Sequence, residues 1–243
     1  MRLLPYSVSS WVRRSFGKPR VVVVLGMPRS GMNFMAAALQ QAGLDLQGSV
    51  PRTADSSSND SPVMALNEAV LAESGGSWEQ PPEQVEWSGA QLAAGKKLVA
   101  DCGGSRVWGI NDPRLLLTLD GWQDLLSAVQ LVGVFRHPQA VAKSLQANCD
   151  IASAEQAMRL WLDYNQRLLA RYRSTPFPIL NFDPLLDNPD ARVGKIARTL
   201  GLPRPRRVRC FDPALINHRP DKKGVLPADV QSLYASLQSV AFL

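Results

Sequence analysis

The chain has few of the residues that build metal sites and covalent cross-links. Its 243 residues include only three cysteines and two histidines. Cys102, Cys149 and Cys210 are widely spaced, odd in number and in no CxxC pairing. That excludes a disulfide framework or zinc cluster and suits buried or free thiols in a reducing compartment. His137 and His218 cannot supply a histidine-rich site, and no metal is expected. No apolar run approaches the ~18 residues of a membrane span. Residues 1–18 are too broken by polar side chains to form a secretory h-region, so the cytoplasm is the expected compartment. This stretch is rich in Arg and Ser, has no acid and carries Trp11. A transit peptide or a surface-lying helix therefore stays open beside an ordinary basic extension.

What is present is an ordinary globular composition, 45% hydrophobic and 20% charged, enough to bury a core. The length fits one α/β domain over residues 20–243, preceded by a basic extension at 1–19. The net charge of +6 is unevenly distributed. Arg2, Arg13, Arg14, Lys18 and Arg20 form one basic cluster; Arg204, Arg206, Arg207, Arg209, Arg219, Lys222 and Lys223 form another. Such clusters suit an anionic ligand, a membrane surface, nucleic acid or a plain solvated face. Nucleic acid is not expected as a partner, because no basic segment is interleaved with aromatics.

Val21–Leu25 reads as a strand buried on both faces, followed by a helix over Asn33–Ala42 that ends at Gly43. Gly48–Pro62 reads as a loop, Val63–Glu73 and Glu83–Ala94 as helices, and Val107–Ile110 and Leu131–Phe135 as strands. Helices are expected over Gln139–Ala147, Ser153–Arg173, Ala191–Leu200 and Pro227–Leu237, with a short strand at Ile179–Phe182. Strands alternating with helices predict an α/β fold of P-loop-like, three-layer type, with a central parallel sheet flanked by helices.

Directly after the first strand comes Gly26-Met27-Pro28-Arg29-Ser30-Gly31, then a helix. Glycines let a backbone turn with its N–H groups pointing inward, and the helix N-terminus adds a positive field. The glycine spacing equals that of a Walker A loop. A Mg-dependent kinase or NTPase needs Lys and then Ser/Thr after the second glycine, where this chain has Met32 and Asn33. The Pro-Arg-Ser insertion instead resembles the 5′-phosphosulfate loop of sulfotransferases that use 3′-phosphoadenosine 5′-phosphosulfate (PAPS). A second segment follows the strand Leu131–Phe135: Arg136-His137-Pro138-Gln139-Ala140-Val141-Ala142-Lys143-Ser144. Arg136 stands at the carboxyl end of a parallel strand, where ligands of open α/β sheets bind. Ser144 falls on the inward stripe of the next helix. An Arg followed eight residues later by Ser resembles the 3′-phosphate motif of the same superfamily.

Further segments are similar to a bacterial-type branch: Leu66-Asn67-Glu68, Ser77-Trp78, Trp108-Gly109-Ile110-Asn111-Asp112-Pro113-Arg114, Trp161 with Asn165, and Phe182-Asp183-Pro184-Leu185-Leu186. The two tryptophans 78 and 161 read as packing anchors, and Asp183 as a helix N-cap. The resemblance implies in-line transfer of a sulfuryl group from PAPS, without metal, to a hydroxyl or amine of a small-molecule, lipid or carbohydrate acceptor. Pro28, Arg29, Ser30, Gly31, Met32 and Asn33 would hold the phosphosulfate, and Arg136 and Ser144 the 3′-phosphate. Arg29 would stabilise charge on the leaving phosphate oxygen. Asp112 stands as a candidate general base, or as the cap of the turn that follows it. Two positions depart from the family pattern: Met32 replaces a threonine, and Asn111 replaces the lysine of Lys-Asp-Pro-Arg. The alternative reading is therefore a catalytically impaired protein that binds PAPS or adenosine 3′,5′-bisphosphate. Lys222-Lys223-Gly224 reads either as a clasp for the 3′-phosphate or as a solvated turn.

Overall fold

Four consecutive valines after Arg20 have no polar face to offer solvent, and both of their faces are buried. In the computed structural model, which describes residues 20–46, 61–102, 106–149, 151–185, 189–203 and 225–242, they form the centre of the sheet. The basic extension, most of the loop 48–62, the second basic cluster, Lys222-Lys223-Gly224, Cys210 and His218 lie outside the described residues.

In chain order the elements are β1 (Arg20–Leu25), α1 (Met32–Gln41), α2 (Pro62–Glu73), α3 (Gly89–Asp101), β2 (Val107–Asn111), α4 (Leu115–Leu125), β3 (Val129–Phe135), α5 (Pro138–Asn148), α6 (Ala154–Ser174), β4 (Ile179–Asn181), α7 (Phe182–Leu185), α8 (Pro189–Thr199) and α9 (Ala228–Val240). The strands are ordered β2-β1-β3-β4, and every pairing is parallel. Val23 lies opposite Ile110 on one side and Leu131 on the other.

Because side chains alternate across a strand, Val21, Val23 and Leu25 enter one core while Val22 and Val24 enter another. Burying each such side chain contributes about 1.5–3 kcal/mol. The first core is closed by α2, α4, α5, α6 and α9, with α3 packed on α2 and α4. The second is closed by α1 and α8. The result is the three-layer α/β fold that the alternation of strands and helices predicts.

Most element ends differ from the sequence reading by one to three residues; α3 is shifted further, and α4 has no counterpart in it. The helix expected at Glu83–Ala94 is α3, which starts at a capping box made by Ser88 and Gln91. The segment before it is a turn in which the Ser77 hydroxyl accepts from the N–H groups of Glu79 and Gln80. The helix α4 has no clear amphipathic stripe to announce it, since Leu115, Leu116, Leu117, Thr118, Leu119, Gly121 and Trp122 are all buried. The last strand stops at Asn181, and Phe182 opens the single turn of α7.

The strand order fixes where a ligand can sit. The chain leaves β1 towards β2 on one side and leaves β3 towards β4 on the other. The connections diverge between β1 and β3, and the crevice opened there at the carboxyl ends is the binding position of open α/β sheets. Both glycine loop and Arg136 segment start at those two strand ends.

Candidate functional site

The loop after β1 folds tightly because Gly26 has no side chain. A Cβ there would meet Val134 O at 2.6 Å and Ser30 Oγ at 2.9 Å. The Ser30 hydroxyl is buried and donates to Met27 O at 2.8 Å, closing the turn from within. Arg29 (φ 67°) and Gly31 (φ 99°) both adopt left-handed backbone. For arginine that conformation is uncommon and marks a locally strained loop. Gly31 is the N-cap of α1 and offers no side chain to its first turn. The orphan N–H groups and the positive end of the helix dipole therefore face the crevice uncapped.

Across the crevice, Arg136 is 7% exposed and held from three directions. Its carbonyl accepts from Trp161 Nε1 at 3.1 Å, its Nε donates to Asp183 Oδ1 at 3.3 Å, and its guanidinium lies 5.3 Å over the Phe182 ring. The other Asp183 oxygen accepts the His137 N–H at 2.7 Å. Asp183 therefore does not cap its own short helix, as the sequence suggests. Its two oxygens tie the end of β3 to α7, and its own N–H donates to Asn181 Oδ1. Pro138 opens α5, and His137 caps it with Nδ1 accepting from the Gln139 N–H. Burial lowers the His137 pKa, which keeps that nitrogen unprotonated.

The two segments are joined directly. Arg29 Nε donates to Ser144 Oγ at 2.8 Å, which leaves the buried Ser144 O–H itself as a donor. Phe182 links them a second time, since a Cβ on Gly31 would lie 2.2 Å from its ring. Gly31, Arg29, Ser144 and Arg136 are thus linked through Phe182 and the Arg29–Ser144 bond. Pro28 is half-buried, and Met32 is buried in the core beneath α1.

Asn33 and Asn111 meet at the β2 side of the loop, where Asn111 Nδ2 donates to Asn33 Oδ1 at 3.1 Å. Asn111 Oδ1 is buried without a hydrogen-bond partner. Asp112 turns the other way. Its Oδ1 accepts from Arg114 N and Arg114 Nη1, both at 3.1 Å, and its Oδ2 from Asn67 Nδ2 at 2.8 Å. The first of these bonds is the turn cap that stands as the alternative to a general base. Trp122 Nε1 and Thr118 Oγ1 donate to Asn67 Oδ1 and so fix which end of that amide faces Asp112. Arg114 also pairs with Glu68. The sequence places Phe182 and Asp183 in a segment similar to the bacterial-type branch, but reads them as a strand end and a helix cap and not as site residues. Among the described residues no cluster of His, Cys, Asp or Glu could hold a metal ion, and no helix is long and apolar enough to cross a membrane.

No family model and no curated protein matches the sequence. The solved structures do. The sulfotransferase domain of the olefin synthase of Synechococcus PCC 7002 superposes with a TM-score of 0.57 at 16% identity, covering 94% of this chain and 98% of that one. The chain has the sulfotransferase fold. Sulfotransferase STF9 from Mycobacterium avium is a further match, with a TM-score of 0.53 at 14% identity over 96% of this chain and 79% of its own. Both likenesses extend over nearly the whole of the chain, so the sheet and its two helical layers belong to one architecture and not to a shared fragment.

Proposed function

We propose that the protein is a sulfotransferase that takes a sulfuryl group from PAPS and passes it to a hydroxyl or amine of a small-molecule, lipid or carbohydrate acceptor. The observation that supports this reading is the Arg29–Ser144 bond across the switch point, which joins the glycine loop to the helix that follows Arg136. The residues present fit a nucleotide with phosphate at both ends. At the first end are the uncapped turn of α1 and a loop in which side chains at Gly26 or Gly31 would collide with the protein itself. At the second are the Ser144 hydroxyl and the guanidinium of Arg136.

In this reading Arg136 and Ser144 hold the 3′-phosphate and orient the donor. Arg29, tied to Ser144 by its Nε, lies between the two ends, and its remaining N–H groups face charge that grows on the leaving phosphate oxygen. Asn33 and Asn111 flank the phosphosulfate, with Asn111 supplying a donor but no charge. Asp112 orders Arg114 and the turn and contacts no acceptor.

A second reading has an observation of its own. Asn111 donates its amide to Asn33 and Met32 is turned into the core, so neither replaces the lysine and threonine donors of the family pattern. The protein would then bind the nucleotide without rapid transfer. Titration with adenosine 3′,5′-bisphosphate, read by calorimetry, is expected to saturate with one site, and Arg136→Ala is expected to abolish it. Absence of binding by the unaltered protein would overturn both readings. Sulfate transfer from radiolabelled PAPS then separates them: turnover supports the enzyme. Binding without turnover, restored by Met32→Thr with Asn111→Lys, supports the impaired form.

A further inference from the structure

The sulfotransferase reading leaves one step without a residue, namely removal of the acceptor's proton. Three features at the tip of β2 bear on it. Arg114 is buried and divides its guanidinium between two carboxylates, Nη1 to Asp112 and Nη2 to Glu68. Two carboxylates against one guanidinium leave one net negative charge. The Asp112 side chain is 1% exposed and its oxygens accept three donors, whereas the Glu68 side chain is 50% exposed. The excess charge therefore has its outlet at Glu68.

Placement favours the same residue. Asn67 bonds to Asp112, which fixes the neighbouring Glu68 at the carboxyl end of β2. Asn111 at that strand end lies opposite Val24 and bonds to Asn33 in the first turn of α1. A donor lying across the tips of β1 and β3 presents its far side to this corner of the sheet.

We infer that Glu68 is the catalytic base of this site, held in place by Arg114, and that the acceptor enters over the tip of β2. In the step it serves, the acceptor oxygen forms a bond to sulfur as the bond from sulfur to the bridging phosphate oxygen breaks. The electron pair of that bond stays on the bisphosphate, and the acceptor proton passes to the Glu68 carboxylate.

This inference rests on the proposed reaction, and its test keeps the two apart. Release of adenosine 3′,5′-bisphosphate from PAPS, with water as the acceptor, is measured for the unaltered protein, Glu68→Gln and Glu68→Asp. Each rate is normalised to sites counted by bisphosphate titration, so a loss of folded protein does not enter it. Glu68→Gln is expected to slow release by about 10²–10⁴-fold, with bisphosphate affinity unchanged and Glu68→Asp intermediate. Equal rates for the unaltered protein and Glu68→Gln would remove Glu68 and leave the sulfotransferase reading standing. No release by the unaltered protein would overturn both.

Discussion

The tips of β1 and β3 and the tip of β2 lie side by side on one sheet edge, yet they are organised by different means. At the first, the backbone does the shaping: left-handed conformations at Arg29 and Gly31, a glycine at 26 with no room for a Cβ, and an uncapped helix start. At the second, side chains do it: Asp112, Arg114, Asn67, Thr118 and Trp122 bond to one another in a closed, buried set, with Glu68 at its exposed end. A cradle made of backbone can accept an anion without rearranging. A set of paired side chains resists change and holds one residue in place.

The difference predicts opposite responses to substitution. The largest effect on stability is expected at Asp112. Asp112→Ala leaves Arg114 paired with Glu68 but strips three buried donors, the Arg114 N–H, Arg114 Nη1 and Asn67 Nδ2, of their acceptor, at about 1–3 kcal/mol each. Urea denaturation should show that loss, while the protein that remains folded binds adenosine 3′,5′-bisphosphate as before. If binding fell in proportion to stability, the two corners would be one unit. Gly31→Ala should do the reverse. A left-handed backbone in a non-glycine residue costs about 1–3 kcal/mol, and the new methyl must displace the Phe182 ring from beneath Arg136. Bisphosphate binding should be lost at a temperature where the protein is still folded, and its retention would mean that the backbone of this loop does not form the anion site.

The same contrast explains what the sequence discloses. The strand Val21–Leu25, the loop Gly26–Gly31 and the pair Arg136 and Ser144 are legible because each needs particular residue types at fixed spacing along one segment. The β2 corner draws Asn67 and Glu68 from α2, Asp112 and Arg114 from the turn, and Thr118 and Trp122 from α4. No local spacing encodes a network assembled from three segments. Asp112 could therefore be singled out, with a turn cap among its two roles, while Asn67 and the buried pairing that hold it could not. The helix α4 was hidden for a related reason, since its first five residues, Leu115–Leu119, are all buried and show no polar face by which a helix is read. Asp183 misleads because an acid before proline matches a helix cap, and only the packing of β3 against β4 brings Arg136 and the His137 N–H to it.

The smallest effect expected is on pH dependence, and it belongs to the β3 tip alone. His137 caps α5 through an unprotonated Nδ1, with its ring edge-on to Tyr234 at 5.0 Å. Burial lowers its pKa below the ordinary 6.5, and Arg136 pushes the same way against the opposing pull of Asp183. Between the folded and unfolded values the unfolded chain carries the proton and the folded one does not. Stability therefore falls as pH drops through about 6.5 and stops falling once the folded protein is protonated too. His137→Asn keeps a side chain able to cap the helix and removes the titration. Compared from neutral pH downwards, the melting temperature of the unaltered protein should fall relative to that of His137→Asn. Parallel curves would mean that the imidazole keeps its proton balance on folding, and that the β3 tip owes its order to Asp183 and Trp161 without help from the ring.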